Sequence, residues 1–122
     1  MANLSSLQAI LQNYVSSTPE VQGAAVVTPD GLPLASALPA GMDEERASAM
    51  SAAMLSLGER IGKELSRGAI ERIFVQGEKG YGVLTSCGPD AVLLTLASHE
   101  VKQGLLFLEM KRVAASIAEA MK

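Results

Sequence analysis

Twelve consecutive residues without a charge, Ala47 to Gly58 (ASAMSAAMLSLG), lie inside a segment that otherwise reads as a soluble helix. Asp43, Glu44 and Glu45 open that segment, with negative charge where the helix dipole favours it, and Arg67-Gly68 closes it after about Leu65. A helix resting on a single neighbour needs one apolar stripe of about 100°. This one carries two. The first runs Ala47, Met50, Met54, Leu57, Ile61, and the second runs Ser51, Leu55, Gly58, Gly62, Leu65. One face can lie on a sheet. The other needs a cover of its own, and a chain of 122 residues with only three helices has little left to supply it. The composition is bent the same way: 3% of residues are aromatic, six are Met, and seven of the twelve uncharged ones are Ala, Met or Gly. Small residues permit close approach and Met adapts to irregular contacts, so a partner chain is the expected cover.

The flanking segments alternate between two periods. Leu4, Leu7, Leu11 and Tyr14 recur at helical spacing from Leu4 to Val15, and Pro19 stops the helix from running on. Gly23 to Thr28 (GAAVVT) reads as a short buried strand. Pro29-Asp30-Gly31 is a turn, and Leu32 to Ala37 alternates as a second strand. Pro33 lacks an N–H, which confines that strand to a sheet edge. Ile70 to Gln76, Tyr81 to Ser86 and Ala91 to Ala97 are three more strands, turned by Gly77 to Gly80 and by Gly88-Pro89-Asp90. The last of them (AVLLTLA) is almost continuously apolar, so both its faces are expected to be buried at the centre of the sheet. Leu105 to Met121 closes as a helix striped by Leu106, Met110, Val113 and Ile117. Hairpins join strands one to two, three to four and four to five. A central strand five then gives the order 2-1-5-4-3, within one domain spanning residues 1–122. Strand three has no Pro and only Glu71 and Arg72 for charge, so it is left as a bare edge that invites another chain.

Little here points to catalysis. The net charge is −3 and the ten basic residues are scattered, so no footprint for nucleic acid exists. No apolar run of about 20 residues is present, which argues against membrane insertion, and Met1 to Ile10 carries no basic residue. A soluble cytoplasmic protein with a reduced thiol is expected. His99 and Cys87 are single and give no metal-ligand spacing. Cys87 has no neighbouring base to make it a nucleophile. Gly77 to Gly82 has a lysine among glycines, but it lacks the Ser/Thr and the helix of a phosphate loop. No catalytic, cofactor-binding or metal-binding residue is therefore assigned. Tyr14 and Tyr81 are read as packing at the edge of the core.

The hairpin GAAVVTPDGLPLAS (Gly23 to Ser36), the acidic start of a small-residue helix and the closing strand followed by Gly104-Leu105 and Glu109, Lys111, Arg112 together resemble the roadblock family. That family includes dynein light chains, scaffold subunits of endosomal complexes and the bacterial MglB-type partners of Ras-like GTPases. The chain departs from the family pattern at Gln103 to Phe107 (QGLLF), which is more apolar. The resemblance implies an α+β, profilin-like, three-layer α/β/α sandwich around a five-stranded antiparallel sheet, with the long helix on one face and the terminal helices on the other. It also implies a homodimer in which third strands pair and long helices pack side by side. Met50, Met54, Leu57 and Ile61 would then meet across the helices, and Ile73, Phe74 and Val75 would lie at the strand seam. The implied function is a non-catalytic homodimeric regulator or adaptor that binds a small Ras-like GTPase and modulates its nucleotide cycle. Glu45, Ser48, Ala49 and Ala52 are its expected contacts. Arg46, Arg60 and Arg67 are potential charge donors, none singled out. Two other readings stand beside it: a scaffold subunit without effect on GTP hydrolysis, and a small-molecule sensor, which would need a polar pocket.

Overall fold

Turn chemistry and hydrophobic period divide the chain into eight elements. The computed structural model describes residues 3–122, so Met1 and Ala2 of the one-domain reading lie outside the described residues. The elements are α1 (Leu4–Ser17), β1 (Val21–Val27), β2 (Pro33–Ala37), α2 (Glu44–Glu64), β3 (Arg72–Gly77), β4 (Gly80–Ser86), β5 (Val92–Ala97) and α3 (Gln103–Ala120). Asn3 caps α1, its side chain accepting from the Ser6 N–H at 3.1 Å. Asp43 caps α2 by accepting from the N–H groups of Glu45 and Arg46, so the acidic run does begin that helix. The strands form one antiparallel sheet in the order β2-β1-β5-β4-β3. The expected topology holds, with the Pro33 strand at one edge and β3 at the other.

Alternation along the strands assigns their side chains to two layers. Ala24, Val26, Val83 and Leu93 face α1 and α3 and share the larger core with Leu7, Leu11, Tyr14, Leu106, Met110 and Ile117. Ala25, Val27, Leu84 and Val92 face α2 and share a smaller one with Leu55 and Ile73. The result is the three-layer arrangement. Tyr14 is a correction to its core-edge reading. It is only 1% exposed, and its hydroxyl is satisfied inside the core by Thr95 Oγ1 at 3.0 Å. Tyr81 stays half-buried.

The sheet's α2 face departs from expectation at β5. Leu94 and Leu96 are only half-buried, although the unbroken apolar run predicts cover on both sides. The reason is width. A helix is about 10 Å across, and strands lie about 4.8 Å apart, so one helix shields two or three strands of five. α1 and α3 divide the opposite face between them, while α2 has its face alone.

Candidate interaction surface

α2 settles onto the sheet by its small side chains. Ala47, Ser48, Ser51 and Gly62 are buried, with Leu55 and Gly58 half-buried beside them. Both serine hydroxyls turn back onto the helix at 2.8 Å, Ser48 donating to the Glu44 carbonyl and Ser51 to that of Ala47. Buried polar groups thus cost little. The glycines set the distance. A Cβ at Gly58 would come within 2.5 Å of Ile73 Cδ1, and one at Gly62 within 2.6 Å of Ile70 Cδ1 and 2.8 Å of the Gly68 carbonyl oxygen. The C-terminal half of α2 therefore presses closely on the start of β3.

The second face of the helix is bare. Met50, Met54, Leu57, Ile61 and Leu65 are between 36% and 64% exposed. Beside them, between α2 and the uncovered strands, runs a groove of about 700 Å³ with a floor of Val75, Gly82, Leu84, Leu94 and Leu96. Arg46, Met50 and Met54 line its helical wall. Sequence reasoning misses this groove. Its one signal there is the apolar run of β5, which asks for a cover that one helix cannot extend over. Large apolar side chains grouped on one face in this way mark an association surface more often than they mark chance exposure.

β3 borders this face and pairs only with β4, so its outer backbone edge has no partner among the described residues. The three seam residues differ in what they present. Ile73 turns under α2 into the smaller core. Phe74 turns to the other side, 5.0 Å from the Tyr81 ring and 5.7 Å from Phe107, centroid to centroid. Only Val75, 43% exposed, offers its side chain on the α2 face, and Ile73 and Phe74 offer backbone. The expected partner contacts also divide. Glu45 and Ala49 are exposed and Ala52 is half-buried near the Gly31 turn. Ser48 is a correction: at 0% exposure beneath the helix, it cannot touch a partner.

The remaining candidates do not converge on chemistry. His99 is exposed in the loop after β5, its ring edge-on to Tyr81. Burial raises the Cys87 thiol from 9.0 to about 12, against a smaller lowering by a backbone hydrogen bond, so it stays protonated and weakly nucleophilic. Arg60 is spent on Glu64 at 3.8 Å and Arg67 on the Leu65 carbonyl at 2.9 Å. No group of three or more His, Cys, Asp or Glu that could hold a metal ion occurs among the described residues. No helix among them is long and apolar enough to cross a membrane.

Against known proteins, residues 7–97 match the family model described as the Roadblock/LC7 domain. An uncharacterized protein of Methanocaldococcus jannaschii is 34% identical over 103 residues, covering 84% of this chain and 90% of its own. Among solved structures, the Roadblock/LC7 domain from Streptomyces avermitilis superposes with a TM-score of 0.85 at 19% identity, covering 92% of this chain and 94% of that one. Myxococcus xanthus MglB superposes with a TM-score of 0.87 at 16% identity, covering 98% and 90%. At these identities the two structures establish the shared profilin-like fold. The family model, which spans all five strands, α2 and most of α1, together with the archaeal relative, places the chain in the Roadblock/LC7 domain family.

Proposed function

We propose that this protein is a homodimeric regulator or adaptor that binds a small Ras-like GTPase and modulates its nucleotide cycle. The observation that carries the reading is the continuity of two unsatisfied features: the row Met50, Met54, Leu57, Ile61 on α2 and the open edge of β3 beside it. A second copy related by a two-fold axis satisfies both at once, since an isologous interface meets the same patch on itself. Helix packs on helix, and strand pairs with strand. The GTPase then docks on the rim that such a dimer leaves exposed, around Glu45, Ala49 and Ala52. The regulator acts by holding the switch regions in one conformation, which shifts their population.

One observation favours the scaffold reading for the second step. Of the three potential charge donors, Arg67 donates to its own helix end and Arg60 sits in an exposed pair with Glu64, which leaves Arg46 as the one without such a partner among the described residues. Single-turnover GTP hydrolysis by a Ras-like GTPase that binds this chain, with and without the protein, separates the two. A change of about tenfold or more in the rate or in nucleotide exchange supports the regulator. Binding with an unchanged rate and unchanged exchange leaves only the scaffold.

A further inference from the structure

Sulfur is distributed unevenly over this chain. Of the five methionines among the described residues, Met110 is buried and Met121 is half-buried against the larger core. The other three, Met42, Met50 and Met54, are exposed, and all three line the groove on the α2 side. The one cysteine, Cys87, is buried, and the chain has no Trp. An oxidant in solution therefore meets exposed sulfur on one face, the same face that a second copy would cover.

A hydroperoxide converts a thioether to a sulfoxide in one reaction. A sulfur lone pair attacks one peroxide oxygen, and the O–O bond breaks as the S–O bond forms. The leaving hydroxide takes the proton of the transferred oxygen and departs as water. Sulfur loses two electrons and the peroxide gains them. The product replaces an adaptable apolar tip with a polar group whose oxygen needs a hydrogen bond. On a solvated protomer water supplies it. Under a second copy water is excluded, and the surroundings offer little instead. The groove beside Met50 and Met54 is floored by Val75, Leu84, Leu94 and Leu96, and the Ser51 hydroxyl is already donated to the Ala47 carbonyl. We propose that Met50 and Met54 are a redox switch on self-association: peroxide oxidation of their thioethers holds the protomer out of the dimer. The inference rests on the dimer reading. A dimer exchanges with its protomer by mass action, and the oxidant reaches these sulfurs in the protomer, so oxidation speeds up as the protein is diluted. A dithiol reverses the step: it passes two electrons to the sulfoxide and closes to a disulfide, and the oxygen leaves as water.

The test treats the wild type with hydrogen peroxide at about 1 and about 50 µM, maps the oxidised peptides by mass spectrometry and follows the mass by sedimentation equilibrium. Met50 and Met54 should oxidise ahead of Met110, and more slowly at the higher concentration. The dimer dissociation constant should rise about tenfold or more. Methionine sulfoxide reductases for both epimers, with a dithiol, should bring it back. In Met50→Leu/Met54→Leu the same treatment should leave the dissociation constant of that variant where it was. The ratio before and after peroxide is read, not the strength of the variant dimer. The reductase arm uses the wild type alone and stands however the variant behaves. Three results overturn the proposal: an oxidised wild-type dimer with an unchanged constant, a double variant that responds as the wild type does, and an oxidised chain that no longer melts cooperatively, which would assign the effect to the core. A wild type already monomeric before peroxide overturns the dimer reading as well, so the two failures are told apart.

Discussion

Tyr14 and Thr95 show how a single pair can make a residue's burial sustainable. The Tyr14 ring fills the larger core, and its hydroxyl would be costly there without Thr95 Oγ1 at 3.0 Å. Burial raises Tyr14 from 10.0 to about 12, against a smaller lowering by Thr95, and it raises Cys87 by a similar route. The unfolded chain begins to release these protons near pH 9 and 10, while the folded chain keeps them to about 12. In that window the unfolded state binds fewer protons. The contribution is therefore fully present below pH 9 and falls as pH rises. Urea denaturation at pH 8, 10 and 11 should show a loss on the order of 3 kcal/mol. Tyr14→Phe should cost about 1–3 kcal/mol at pH 8 by orphaning the threonine hydroxyl, and should flatten the fall above pH 10. Gly62 is the opposite case, a position defined by having no side chain. Gly62→Val places a Cβ 2.8 Å from the Gly68 carbonyl, a backbone atom that cannot swing aside. A destabilisation of about 1–3 kcal/mol is expected from the urea midpoint, despite any gain in helix propensity.

Elements whose local chemistry and hydrophobic period agree are legible in the sequence alone. The Pro29-Asp30-Gly31 turn, the edge position of the Pro33 strand and the Asp43 start of α2 each rest on one residue's backbone or side-chain chemistry, and each is found. Boundaries are less so. β1 begins at Val21 rather than Gly23, beyond a register shift that a polar Gln22 gives no sign of. Ile70 reads as strand but lies before β3, held by Gly62 above it. For the candidate surface, the sequence shows two stripes on α2 but not which lies down. Ser48 and Ile73 escape a reading by spacing because their burial is decided by how α2 lies on the sheet, although the Ser48 hydroxyl itself is satisfied one turn back on its own helix. α3 starts without a cap: Lys102 occupies the N-cap position and makes no side-chain bond to the helix. Lys102→Asp supplies an acceptor and a favourable charge at once. It should stabilise the protein by about 1 kcal/mol in the same assay, and a neutral or negative change would show that the position is held by something other than helix capping.

At the scale of the molecule, the inequality between the two faces of the sheet organises everything else. Two helices cover one side and one helix covers the other, so the α2 side carries half-buried leucines in its sheet and bare methionines on its helix. The small-residue composition of α2 suits this position, since its lower face must approach β3 closely and its upper face must still meet something. The residues that test the interface are those that point outward. A charge at Ile73 would damage the smaller core and so report on folding, whereas Met54 and Val75 can carry one without touching that core. Sedimentation equilibrium of the wild type and Met54→Glu at about 50 µM measures directly whether the α2 face and β3 edge form a self-association surface. A wild-type mass twice the 12.7 kDa of the chain is expected, with a folded Met54→Glu variant shifted toward 12.7 kDa. A wild type already at 12.7 kDa, or a dimer indifferent to the substitution, would contradict it.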